Sequence, residues 1–189
     1  MKNTTVQFKS FNKQRGNMVL QAAMAIGISA IVALGAMKGY EYYQDAKVSN
    51  EVNELSSLKT RTVNYAQSLG GAFTSTNTAL SNLAGLNFWS KKMISGSGAS
   101  TAVSNQWGGT VTTAVGTAKN AGDAIDYTYT AYPNFACKAV GTQINDIAAK
   151  VTIGGTVVKA NGSPIDPASL GTQCDAQGDN VTIVYTLAR

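Results

Sequence analysis

Residues 18–37 read MVLQAAMAIGISAIVALGAM, twenty residues without a charge. As a helix rising about 1.5 Å per residue, this run spans about 30 Å, the hydrocarbon thickness of a bilayer. Lys2, Lys9, Lys13 and Arg15 lie before it, and no acid appears until Glu41. The positive-inside rule keeps that basic start in the cytoplasm and places the chain beyond the run on the other side. A secretory signal also joins a basic start to an apolar run, but its apolar part is about 7–15 residues and a small-x-small cleavage site comes after it. Here the run is longer and the helical pattern goes on beyond it.

From Lys38 to Leu69 the apolar residues Tyr40, Tyr43, Val48, Val52, Leu55, Leu58, Val63, Ala66 and Leu69 recur mostly at intervals of three to five. Glu41, Asp45, Lys47, Glu51, Glu54, Lys59 and Arg61 fill the positions between, no proline intervenes, and Gly70-Gly71 supplies a stop. The reading is one helix of about 50 residues, roughly 80 Å long. Its first half is apolar all round and carries Gly27, Ser29, Ala30, Ala33, Gly35 and Ala36, small residues that let helices approach closely. Its second half is amphipathic and needs a domain to cover one face.

The whole chain has 189 residues, enough for one compact domain and an extension. Charged residues are 13%, about half of average usage, and Gly, Ser, Thr and Asn take their place, as in a loop-rich surface protein. The net charge is +5, yet four of the fifteen basic residues lie in the first sixteen positions, so the remainder has eleven basic against ten acidic groups. The basic stripe that nucleic-acid binding requires is missing, and no nucleic-acid partner is expected. There is no histidine. That removes histidine triads, histidine-ligated metals and imidazole switches together. Two cysteines cannot build a four-cysteine zinc site. Cys137 and Cys174 form a disulfide if the domain is exported, or remain two buried thiols.

After Gly71 the chain turns to Thr, Ser, Asn, Gly and Ala. Residues 74–86 read as a short helix or loop around Leu80, Leu83 and Leu86, and 95–99 as a turn. Strand character appears at 109–115, at 125–132 with Ile125, Tyr127 and Tyr129 on one side, and at 180–187. Residues 150–153 and 156–159 flank Gly154-Gly155 as a hairpin, 137–147 suits a short helix, and 161–167 is a loop. Helix first and strands after predict an α+β fold with an antiparallel sheet laid on the amphipathic half of the long helix.

Catalytic and metal motifs find no support. The spacings Asp123/Asp126 and Asp175/Asp179 do not fit a calcium loop. Gly96-Ser97-Gly98 lacks a following Walker lysine, and GxSxG does not occur. The many serines have no histidine base. The chain is not expected to be an enzyme, nor to use a cofactor or metal. Trp89 and Trp107 are expected in core or filament packing.

Arg15-Gly16-Asn17-Met18-Val19-Leu20-Gln21 resembles the processing site of type IV prepilins: a basic residue, a glycine, then an apolar helix with a polar residue at its fifth position. Tyr42–Ala46, Asn105-Gln106-Trp107-Gly108-Gly109, the surroundings of Cys137 and Cys174, and Asn180–Leu187 are similar to stretches of type IVb pilins, the bundle-forming, toxin-coregulated and conjugative thin-pilus pilins. The resemblance implies a leader, 1–16, cut after Gly16 by prepilin peptidase, with Asn17 as the new N-terminus, usually methylated. It implies a pilin helix over 17–70, of which 17–37 is first a membrane anchor and then filament core. It implies a globular head over 71–189 with a disulfide-bounded segment 137–174. Such a subunit waits in the inner membrane with its head in the periplasm. Assembly machinery then builds it with copies of itself into an extracellular pilus for adhesion, aggregation or conjugative contact. Asn17 and Gln21 would meet between subunits. The family's fifth residue is usually Glu; Gln21 accepts a hydrogen bond from an ammonium but cancels no charge. The resemblance implies the major pilin; the departure at Gln21 brings in a minor pilin or tip adhesin as the alternative, and a secretion-system pseudopilin is a further one.

Overall fold

A computed structural model of the chain describes the backbone of residues 15–189 and the side chains of residues 38–189. Residues 1–14 of the expected leader lie outside the described residues, as do the side chains of residues 15–37, which include Gly16, Asn17, Gln21 and the expected span at 18–37. Among the described residues no helix is long and apolar enough to cross a membrane. The chain divides into two compact units, Met1–Tyr43 and Gln44–Arg189. Helix α1 is Arg15–Leu69. Gly70, at φ +63°, ends it in the left-handed region that a side chain would resist.

In the second unit α1 buries Val48, Glu51, Leu55, Leu58, Thr62 and Ala66. These positions recur every three or four residues, one stripe of an α-helix. The stripe is set slightly differently from the expected one. Charge alone puts Glu51 among the outward positions, yet it has no exposed surface. Tyr40, Tyr43 and Leu69, expected on the apolar face, are 64%, 56% and 37% exposed. Periodicity finds a face but not where along the helix the covering stops.

After α1 come the short helix α2 (Leu80–Gly85), the strands β1 (Ile94–Ser95), β2 (Ala102–Ser104), β3 (Thr110–Thr117) and β4 (Ala121–Tyr132), and helix α3 (Asn134–Gln143). The hairpin β5 (Lys150–Ile153) and β6 (Thr156–Lys159), helix α4 (Pro167–Gln177) and strand β7 (Val181–Ala188) complete the chain. All seven strands join one sheet in the order β1-β2-β3-β4-β7-β5-β6, with every pairing antiparallel. The expected α+β class is therefore observed. Strand β7, last in the chain, sits inside the sheet between β4 and β5. Its Val181, Ile183, Tyr185 and Leu187 alternate into the core beside Ile125, Tyr127 and Tyr129 of β4.

Four elements differ from expectation. Strands β1 and β2 are too short to show a period in sequence. Helix α3 starts three residues before Cys137, because Pro133 is its N-cap with φ fixed and no N–H to give. Helix α4 lies where no helix was expected. Gly171 and a run of polar residues hide it, although Asp166-Pro167 is a sound start: the Asp166 carboxylate accepts from Ala168 N–H at 3.1 Å and Pro167 opens the first turn.

Candidate functional site

The seam between α1 and the sheet carries the most unusual chemistry of the second unit. Strands β4 and β7 turn tyrosines toward α1, and the helix answers with polar groups. Tyr132 donates its hydroxyl proton to Glu51 Oε1 at 2.5 Å, and Tyr129 donates to Glu54 Oε1 at 3.3 Å. Thr62 Oγ1 and the Tyr127 hydroxyl lie 2.8 Å apart as a hydrogen-bonded pair. The rings themselves pack edge to face: Tyr129 lies 6.1 Å from Tyr132 and 5.5 Å from Tyr185, centroid to centroid.

Burial raises the Glu51 carboxyl to about 7, against the opposing pull of the hydrogen bonds from Tyr132 and from the Gln106 backbone. Burial, and then the charge of Glu51, raises Glu54 to about 8. Loss of water also pushes the Tyr129, Tyr132 and Tyr185 hydroxyls upward, so they stay neutral donors. The seam thus holds protons that the same groups would release in water. Among the described residues it has no nucleophile–base pair; it is a packing surface in which Tyr127, Tyr129 and Tyr132 each meet a polar group of α1, while the buried Tyr185 hydroxyl and Glu51 Oε2 have no hydrogen-bond partner.

The turn before β3 supports the seam. Asn105 Oδ1 accepts from Trp107 N–H at 3.0 Å and Gly109 N–H at 2.9 Å, while its side-chain amide donates to Thr130 O at 2.7 Å. A Cβ on Gly109 would overlap Thr130 O, so only glycine fits. Trp107 stacks on Tyr132 with ring centres 4.6 Å apart, and Trp89 meets Tyr127 edge-on at 6.0 Å. Both tryptophans therefore pack against core tyrosines, Trp89 fully buried and Trp107 half-buried.

Cys137 on α3 and Cys174 on α4 are joined by a disulfide, with Cα atoms 5.9 Å apart and no exposed surface. The bridge pins the two helices, and Leu170 fills the space that a side chain on Gly141 would need. The closed segment carries the β5–β6 hairpin to the far side of β7.

Of the residues singled out in sequence, the cysteines meet as a bridge. Gly16, Asn17 and Gln21 fall outside the described side chains. Sequence reading missed Glu51 and Glu54 as interior groups. The signal was present: Glu51 stands three residues after Val48 and four before Leu55, in phase with the buried stripe.

Residues 45–188 match the family described as PilS N terminal. No curated protein matches the chain. Among solved structures, the chain is similar to the type IVb pilin from Salmonella typhi, with 20% identity, a TM-score of 0.58, and coverage of 72% of this chain and 97% of that one. It is also similar to TcpA, a type IV pilin from Vibrio cholerae El Tor, with 14% identity, a TM-score of 0.54, and coverage of 75% and 98%. In both comparisons the likeness is one of fold. A family match across most of the chain, together with a helix laid on an antiparallel sheet, places the protein: it belongs to the PilS N-terminal family and has the fold of a type IVb pilin.

Proposed function

We propose that this chain is a structural subunit of a type IVb pilus that polymerises with copies of itself through its N-terminal helix. The observation that carries the reading is the continuous helix α1, whose later half is buried under the sheet while the uncharged run 18–37 lies on the same helix. An anchor that served only to tether a domain has no reason to continue as that domain's central helix. In a filament the apolar stems pack together and the heads form the outside, driven by apolar burial and close helix packing.

In this reading the chain is divided as leader 1–16, helix 17–70 and head 71–189. Prepilin peptidase cuts after Gly16, and the subunit waits in the inner membrane with its head in the periplasm before assembly machinery moves it into an extracellular pilus. Asn17 and Gln21 meet at the junction between stems. The filament serves adhesion, aggregation or conjugative contact, and the chain itself catalyses nothing. Gln21 in place of a carboxylate favours a second reading, a minor pilin.

Sheared surface filaments, separated by gel and weighed by mass spectrometry, test both. The dominant band with an N-terminus at Asn17 is the expected result. A mature N-terminus elsewhere, or absence from the filaments, would sink the proposal; a trace band would favour the minor subunit.

A further inference from the structure

We propose that a cleft beside the C-terminal end of β7 binds a small oxyanion of the phosphate class between Lys59 and Lys159. The cleft encloses about 360 Å³ and is walled by α1, the β3–β4 turn, the loop before β5, and β6 with the residues after it. Four cationic side chains line it, Lys59, Lys119, Lys159 and Arg189, against two carboxylates, Asp123 and Asp146.

The two carboxylates are not positioned to neutralise the lysines. Asp123 accepts from the N–H groups of Ala118, Lys119 and Asn120 at 2.7, 2.9 and 2.9 Å, and those bonds hold its carboxyl below the usual range against the cost of its burial. Asp146 is exposed and accepts from the Asn145 amide at 3.3 Å. Among the described residues no carboxylate lies within ion-pair distance of Lys59 or Lys159.

Lys159 is nonetheless only 5% exposed, and its Nζ reaches a single backbone oxygen, Ala149 O, at 3.4 Å. Lys59, half-buried on α1, donates to Ala188 O at 2.8 Å. Burial, and then the charge of Lys159, holds Lys59 below the usual ammonium range. Two ammonium groups that line one cleft, partly withdrawn from water and with no carboxylate within ion-pair distance, destabilise each other. Each has three donors and uses one on a carbonyl. A doubly charged oxyanion in the cleft takes the remaining donors as charge-assisted bonds and cancels the repulsion. This inference concerns the second unit alone and stands whether or not the chain forms a filament.

The test is a thermal melt of the full chain in non-ionic detergent, titrated with inorganic phosphate and, in parallel, with sodium chloride at matched ionic strength. The expected result is a saturable rise in Tm specific to phosphate, roughly 5–10 °C at about 100 times Kd. Lys159→Met should reduce that response to the chloride level. Should Lys159→Met fail to fold, Lys59→Gln gives the second arm, read by broadening of the phosphate ³¹P resonance, which wild type causes and the variant does not. Equal stabilisation by phosphate and chloride, or a full phosphate response in both variants, overturns the proposal.

Discussion

Glu51→Gln separates the proton held in the helix–sheet seam from the packing around it. The Glu51 carboxyl lies at about 7 in the folded protein, raised from 4.5 chiefly by burial. Below 4.5 the folded and unfolded chains both hold the proton, and the seam's stability is fully present. As pH climbs from 4.5 toward 7, the unfolded chain releases a proton that the folded chain keeps, so stability falls by about 1.4 kcal/mol per pH unit for this site. Over the window the loss is about 3 kcal/mol. Glu54, raised to about 8, adds a loss of the same sign across a wider window. Glutamine cannot ionise, and its Oε1 can still accept from Tyr132 as the carboxyl does at 2.5 Å. Glu51→Gln should therefore match wild type at pH 5 within about 1 kcal/mol, and exceed it at about pH 8 by about 3 kcal/mol. For a folded unit of this size that is a Tm gain of roughly 6–12 °C. The assay is circular dichroism of detergent-solubilised full chain, melted across about pH 4.5–8.5. A wild-type curve parallel to the variant's over that range, or a variant less stable than wild type at the alkaline end, would refute the reasoning.

Three further outcomes rest on single contacts. Replacing Cys137 and Cys174 together by alanine opens the closed segment and should cost about 4 kcal/mol, the chain-entropy value for a loop of this separation, read as the denaturant midpoint under non-reducing conditions. Gly109→Ala forces a methyl against Thr130 O and should lose at least about 2 kcal/mol, whereas Gly108→Ala next to it meets no atom within 4 Å and bears only the strain of its positive φ; chemical denaturation of the pair separates clash from backbone strain. Thr62→Val leaves the buried Tyr127 hydroxyl without its partner at 2.8 Å, costing about 1–3 kcal/mol, and the double change with Tyr127→Phe should recover part of that loss in a double-mutant cycle.

What could be read in sequence was whatever a local period or a unique pairing carries. The hairpin at Gly154-Gly155 appears at the expected bounds, because two glycines with φ of +55° and +86° supply the tight turn and the flanking strands are short and rich in Val, Ile and Thr. The inward alternation of β4 and β7 was legible because a strand with one buried face must repeat every two residues. Two cysteines allow only one intrachain bridge. Helix α4 was masked because its stability rests on a cap and on packing against α3, not on intrinsic helix preference.

The chain's own order of residues determined a long helix, a sheet after it, and the alternation that gives the sheet a core face, since each arises from backbone geometry acting over a few residues. Only the tertiary structure decided that β7 enters between β4 and β5, that Tyr132 is the partner Glu51 meets, and that Lys59 and Lys159, far apart in the chain, share a cleft. Those outcomes depend on which distant surfaces exclude water from one another, a non-local competition that leaves no periodic trace in the sequence.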